Sequence, residues 1–463
     1  MAGFIFSIFK NDGIDGMKKR IYDGDYASIV PSELNNQMSR QVAASVLADY
    51  CSMKSGDNVY FLCQRRIYGV GKLINLGDDC KYRSYIRANK FEEITELIES
   101  DAPLKKDATP NERWICFFEP EQSFFANGVD MDDVLRYKPD AFKMLRAFQD
   151  RSFIKIDDEE NRALKEFIYL SNIENQDTFE YSRLEHDRIK KLPLEKYRIC
   201  PEEVIRENID PETGEVSLEM LVEAGLVDKI MKSGFEGDNY DYVSHQVIAS
   251  PFKPISYIDK IDIFAYKTLD NYPDEPKPIS KYLIMELKKG KANKESISQL
   301  MGYVDWVCQE YASGDYSKIK ARVVAKSYAS KGIQETLENE CKRSYISSTH
   351  PNQTTNWSDI KLMDYYVDGV GLIELEEYNA FDSEKYLIDS LERLGWKTSK
   401  GRIQCDGESY TPTFKIQKKK LAFFRMVDVM AHDSLESAGW KIIDLSQLTD
   451  KESVDRLIIG LVN

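Results

Sequence analysis

Three charged side chains stand where strands ought to be apolar. Asp262 lies in Ile261-Asp262-Ile263-Phe264, and Glu286 and Lys288 lie in Ile284-Met285-Glu286-Leu287-Lys288. A charge inside an apolar strand is costly unless it is paired or binds a cation. Side chains alternate faces along a strand, so Glu286 and Lys288 project from the same face. A hairpin joining the two strands brings Asp262 beside them. Two carboxylates on adjacent strands make a hard-oxygen site suited to Mg2+ or Mn2+. A lysine next to it can hold an attacking water and offset charge developing on a phosphate. Lys289, Lys291 and Lys294 follow as a basic rim for a backbone phosphate. The next segment carries Ser296, Gln299 and Tyr303 at i, i+3 and i+7 of a helix. Gln299 suits orienting the water or Lys288, and S-x-x-Q equally fits a capping box.

These residues need a sheet to gather them, and residues 206–378 supply its pattern. An amphipathic segment, Ser217–Glu223, opens the region. Strand Tyr257–Tyr266, a polar turn over Asp270–Ser280 and strand Lys281–Lys288 follow. Asn293 to Tyr311 predicts a helix whose buried stripe is Ile297, Leu300, Met301, Val304 and Cys308. Strands Arg322–Ala325 and Ile360–Val367 bracket more helix. This order predicts an α/β domain, a mixed sheet flanked by helices.

Asp262, then Glu286-Leu287-Lys288, then Gln299-Leu300-Met301-Gly302-Tyr303 resembles the PD-(D/E)xK nuclease superfamily. The local pattern is similar to NucS-type endonucleases, in which an Ile-Asp strand precedes a Glu-Leu-Lys strand and a Q-L-x-x-Y helix. Shedu-type phage-defence nucleases carry a related core. The resemblance covers about residues 210–370. It implies that Asp262 and Glu286 bind metal and that Lys288 and Gln299 assist catalysis. It also implies a further carboxylate from the first helix, with Glu219 the better placed and Glu223, one turn on, not separable from it by sequence.

Residues 1–155 contain a strand at Phe4–Phe9, a short helix through Met17–Ile21, a hairpin of Val59–Cys63 with Ile67–Ile74, and strands at Trp114–Phe118 and Ser152–Ile156. They predict a small β-barrel with a few helices. In order and texture this region resembles the PUA/EVE/ASCH-like barrels, which include readers of modified bases. Such readers hold an extruded base between aromatic rings, for which Tyr60, Trp114, Phe117, Phe118, Phe124 and Phe125 are the candidates. Residues 156–205 are a charged helical linker, capped at Asp157. Residues 379–463 resemble the short-patch-repair (Vsr-like) nucleases in the order Leu387–Trp396, Tyr410–Phe414, Lys420–Met426 and Leu435–Ile443. Thr413, Phe424 and Met426 stand where that pattern has acids, so the likeness implies a degenerate copy. Lys415, Lys418, Lys419, Lys420 and Arg425 make it locally basic.

The 463 residues have room for several domains. The net charge of −15, from 63 basic and 78 acidic residues, argues against non-specific coating of nucleic acid but permits a local basic patch. Eight cysteines without a CxxC pair and four scattered histidines argue against a structural zinc site and more strongly against a disulfide framework, and are expected in the cytoplasm. Among the histidines His245 stands out, because it precedes the Asp262 strand. No apolar run suffices for a membrane span, and no signal sequence opens the chain. Walker A, Rossmann, GxSxG and HExxH motifs are absent. The expectation is a cytoplasmic, Mg2+- or Mn2+-dependent DNA endonuclease in defence against foreign DNA, gated by its N-terminal domain. Double-stranded DNA is its expected partner, with no membrane involved. Because cutting both strands pairs two active sites, a homo-oligomer, dimer or tetramer, is expected. The alternatives are NucS-like repair of mismatched or damaged DNA and a catalytically silent DNA-binding sensor.

Overall fold

Phe4-Ile5-Phe6 has no polar break, the pattern of a strand covered on both faces. In the computed structural model all three are buried, in strand β1 (Gly3–Ser7). The structure describes residues 2–8, 13–29, 37–85, 112–122, 124–147, 153–210, 213–249, 259–329, 332–378, 383–405, 407–424, 429–448 and 451–462. Together with β1, β2 (Asp25–Ile29), β3 (Asn58–Cys63), β4 (Arg66–Leu73), β5 (Lys81–Tyr85), β6 (Glu112–Pro120), β7 (Val129–Asp130) and β8 (Phe153–Ile156) form one sheet. Its order is β2-β6-β4-β3-β1-β8, with β5 on β6 and β7 on β4. Among the described residues no ladder joins β2 to β8.

Helix α1 (Gly13–Asp23) follows β1, and α2 (Gln37–Cys51) follows β2. Tyr50 of α2 ties the paired strands β2 and β6 to β8, which pairs with neither. Its hydroxyl accepts from Ser28 N at 3.3 Å and donates to Trp114 O at 2.8 Å, and its ring meets Phe153 edge-on at 5.3 Å. Tyr60, Trp114, Phe117, Phe118, Phe124 and Phe125 are all buried. Their rings pack into the interior, as in Phe61–Phe118 at 5.6 Å and Phe125–Tyr169 at 5.6 Å.

Helices α3 (Met131–Tyr137), α4 (Met144–Ala147), α5 (Asp158–Ser171), α6 (Leu184–Ile189) and α7 (Pro201–Arg206) follow. Asp157 caps α5, accepting from Glu159 N and Glu160 N at 2.9 Å. Helix α8 (Glu219–Ser233) ends at Gly234, whose φ of +71° favours glycine and whose added Cβ would meet Asp238 O at 2.3 Å.

The second sheet gathers β9 (Tyr242–Ile248), β10 (Lys260–Thr268), β11 (Ile279–Ala292), β12 (Ile319–Tyr328), β15 (Ile360–Val367) and β16 (Ile373–Glu377). Between β12 and β15 come helix α10 (Ile333–Glu340) and an exposed hairpin, β13 (Arg343–Thr349) with β14 (Asn352–Trp357), where only helix was expected. The hairpin is rich in Ser, Thr, Asn and Gln, which favour neither a helix interior nor a buried strand. The sheet order is β16-β15-β12-β11-β10-β9. The β11–β12 and β12–β15 pairs are parallel and the others antiparallel, so the sheet is mixed. Helix α9 (Lys294–Glu310) connects β11 to β12, burying the expected Ile297, Leu300, Met301, Val304 and Cys308, and Val307 besides.

Beyond Gly234, Asp238 receives Lys267 of β10 at 3.5 Å, Lys281 of β11 at 2.8 Å and Lys320 of β12 at 2.9 Å. Burial pushes its carboxyl up, but Lys281 and Lys320 outweigh it and hold the carboxyl down at about 2.

Both sheets belong to one unit, Met1–Glu377. Its apolar core runs without a break from Phe4 and Phe61 through Leu47 of α2 and Leu221 of α8 to Ile263 and Leu287. The sequence boundaries at 155/156 and 205/206 lie inside this unit. The second unit, Tyr378–Asn463, has its own core of Leu387, Leu391, Phe414, Phe423 and Val454. It holds α11 (Ser383–Arg393), hairpin β17 (Ile403–Cys405) with β18 (Glu408–Tyr410), and sheet β19 (Phe414–Ile416), β20 (Leu421–Phe424) and β21 (Lys441–Asp444), with α12 (Val429–Ser437) and α13 (Lys451–Val462). Phe424 is buried, and Lys419 stands over the Trp396 ring at 3.8 Å. Met426 and Arg425 lie outside the described residues. Among the described residues no helix is long and apolar enough to cross a membrane.

Candidate active site

The antiparallel register of β10 on β11 pairs Ile263 with Met285, and one further step sets Asp262 opposite Glu286. The register of β9 on β10 pairs Ile261 with Val247 and Ile263 with His245, which sets Gln246 opposite Asp262. Three neighbouring strands thus carry Gln246, Asp262 and Glu286 in one row. The runs Ile261–Ala265 and Leu283–Leu287 dictate buried strands, and the row forces carboxylates into them: Asp262 is 8% exposed and Glu286 1%.

Asp262 Oδ2 accepts from Leu287 N at 2.7 Å, and Oδ1 accepts from Gln246 Nε2 at 3.0 Å. Glu286 Oε1 accepts from Lys288 Nζ at 2.5 Å, while its buried Oε2 has no hydrogen-bond partner. Lys288 Nζ also donates to Leu287 O at 2.8 Å, and its side chain keeps 31% exposure. Burial drives the Asp262 carboxyl well above its ordinary range, and Glu223 and Glu286 push it further. Burial also raises Glu286, with Lys288 opposing. For Lys288 burial works against charge, but Glu286, Glu219 and Asp262 outweigh it and hold the ammonium above its usual value.

Helix α8 brings both of its candidate glutamates to this row. Glu219 accepts from Lys289 N at 3.0 Å and acts electrostatically on Glu286 and Lys288. Glu223 is fully buried and accepts from Gln246 Nε2 at 2.9 Å. The two carboxylates, one turn apart, serve different ends of the row. Gln299 donates to the Tyr303 hydroxyl at 2.6 Å. It takes no part in a capping box, because Asn293 caps α9 by accepting from Ser296 N at 3.2 Å. Lys289, Lys291 and Lys294 are exposed. Lys289 Nζ reaches Ser217 O at 3.1 Å, and Lys294 Nζ lies 4.0 Å from Glu295.

Two residues of the network had little or no sequence signal. Gln246 sits in the buried run Tyr242–Ile248, where a lone amide is a weak cue. Asp49 of α2 lies 196 positions from His245, which it meets at 3.2 Å.

A divalent ion fits this chemistry in a limited way. Among the described residues no three or more His, Cys, Asp or Glu side chains gather as a complete ligand set. Two adjacent carboxylates, one with a buried unpartnered oxygen, match the one or two that Mg2+ takes from protein, with water and phosphate oxygens completing its shell.

No protein-family profile matches the sequence, and no curated protein does. Among solved structures the chain is similar to a repair endonuclease from Pyrococcus abyssi. That match has 25% identity and a TM-score of 0.17, and covers 26% of this chain and 43% of that one. The chain thus spans under half the length of that protein. A second similar structure is an EndoMS–dsDNA complex, at 13% identity and a TM-score of 0.17, covering 68% of this chain and 94% of that one. At these scores neither likeness defines the fold of this chain, which is read from its own sheets.

Proposed function

We propose that this chain is a metal-dependent DNA endonuclease with a PD-(D/E)xK core in residues 206–378. It acts in the cytoplasm on foreign double-stranded DNA, and residues 1–155 gate it. One observation carries the reading: the buried, unpartnered Glu286 Oε2 stands beside Asp262, with the Lys288 ammonium in reach of the same carboxylate. A like-charged pair this deep is expensive unless a cation completes it.

In this reading Asp262 and Glu286 hold Mg2+ or Mn2+. The ion supplies Lewis acidity at the phosphate and a water acidic enough to attack at neutral pH. Lys288 would orient that water through its one remaining hydrogen and offset charge growing on the phosphate oxygens. Glu219 flanks Lys288 from α8, and Gln299 supports the water side together with the Tyr303 hydroxyl. Lys289, Lys291 and Lys294 grip the DNA backbone. The second unit is a degenerate Vsr-like domain whose lysines add phosphate contacts, and two copies of the chain cut opposite strands.

A second reading, repair of mismatched or damaged DNA, is favoured by the Ile-Asp, Glu-Leu-Lys and Gln-Leu-x-x-Tyr order shared with NucS-type enzymes. The test is incubation of the full chain with supercoiled, linear and mismatched DNA, with Mg2+, Mn2+ or chelator. Metal-dependent cleavage is expected, and its absence on every substrate leaves a DNA-binding protein without catalysis. Plaque counts set against host mutation rate separate defence from repair.

A further inference from the structure

The Asp262 carboxylate does not end the polar network; the network continues to helix α2. Gln246 Nε2 bridges Asp262 Oδ1 at 3.0 Å and Glu223 Oε1 at 2.9 Å. Both partners are acceptors, so the amide orientation is fixed by chemistry. Glu223 Oε2 in turn meets His245 Nδ1 at 3.1 Å, and His245 Nε2 meets Asp49 Oδ1 at 3.2 Å. His245 and Glu223 are almost completely buried, and Asp49 belongs to α2.

The backbone is bent to make this path. Successive strand residues send side chains to opposite faces, yet His245 and Gln246 both bind Glu223. Gln246 achieves this at φ +52°, a left-handed conformation in mid-strand that a non-glycine residue adopts only at a cost. A second tie holds the same strand: Lys155 Nζ, at the end of the first sheet, donates to Val243 O of β9 and to Ser52 O beyond α2, each at 2.7 Å.

We propose that Asp49, His245, Glu223 and Gln246 form a positioning relay that sets the Asp262 carboxylate for its ion, so that the metal site is complete only while α2 is seated on β9. The relay rests on the metal-nuclease reading. It gives the N-terminal region a physical route to the site: whatever unseats α2 releases Asp262. None of the four residues needs to touch DNA.

The experiment uses the full-length chain and reads Mn2+ affinity by calorimetry, kcat and KM for DNA cleavage, and melting temperature. Asp49→Asn and Gln246→Met are each expected to weaken Mn2+ binding and lower kcat by about 10- to 100-fold, as loss of an outer partner of a metal ligand does, with KM unchanged. The double variant is expected to lose no more than the worse single variant, because both cut one path. Wild-type Mn2+ affinity and kcat in either folded single variant overturns the relay, and so do additive losses. Should Asp49→Asn fail to fold, Gln246→Met decides alone. A wild-type chain that neither binds Mn2+ nor cuts DNA overturns the nuclease reading instead.

Discussion

Buried carboxylates occur beside both sheets of the first unit, held on different terms. Asp57 accepts from Ala2 N and Lys54 N, each at 3.2 Å, and Glu160 accepts from Met144 N at 3.0 Å and Leu145 N at 3.2 Å. Asp157 caps α5 in the same manner. At the second sheet Glu223 of α8 and Glu286 of β11 are held by side chains, and Asp262 of β10 has a single backbone donor. A carboxylate fixed by two amides closes a chain terminus or a turn. Asp157 crowds Glu160 and leaves its Oε2 without a partner too, so what sets the second group apart is that side chains, Lys288 among them, hold it.

The sharpest way to break this contrast is Lys288→Ala. Cleavage is expected to fall about 100- to 1,000-fold, the usual cost of one transition-state donor. Plasmid cleavage at the wild-type rate would remove Lys288 from the site. Next in size is the response to metal. A divalent ion at a hundredfold excess over its Kd should stabilise the wild type by about 2.7 kcal/mol. Asp262→Asn should lose most of that rise while melting no lower than wild type without metal, because it removes one of the crowded charges. Equal metal-induced shifts in both proteins would place the ion elsewhere. From the other side of the contrast, Asp157→Ala should cost about 1 kcal/mol in stability as a lost helix cap and leave kcat intact. A catalytic defect at full stability would erase the distinction drawn here.

The smallest effect is a pH dependence at His245. Burial opposes its charge, yet Asp49 and Glu223 lift it to about 9 from an ordinary 6.5. The folded state therefore binds the extra proton between those values. The stability it contributes is complete below pH 6.5 and lost as pH rises through 9. Melting temperatures of the metal-free protein between pH 6 and 9.5 should fall more in wild type than in His245→Asn. Parallel curves would mean that the imidazole is not held as a cation.

Alternation along two apolar strands was enough to place Asp262 by Glu286 and to put Lys288 on the same face, and the α9 stripe was legible from its spacing. Strand β9 was not, because Tyr242–Ile248 mixes apolar residues with Ser, His and Gln, and because a left-handed Gln246 breaks the period on which such readings depend. Helix α2 had no strong stripe either, since Ala43, Ala44, Leu47 and Ala48 present a small-residue face suited to close packing on α8. Texture along the chain suggested that 1–155 and 206–378 stand apart. Their cores merge because α2 and α8 bury their faces on each other, a pairing invisible until both helices are in place.

The three lysines around Asp238 have a consequence for how the strands find their alignment. A strand that slips by one residue turns every side chain to the opposite face. For β10 that slip would carry Asp262 away from Glu286, and hydrophobic residues on both sides of the strand give little resistance to it. Asp238 grips Lys267, Lys281 and Lys320 on three consecutive strands at once. It acts as a single pin through three leaves, so that a misaligned sheet forfeits an ion pair before the first metal ion arrives.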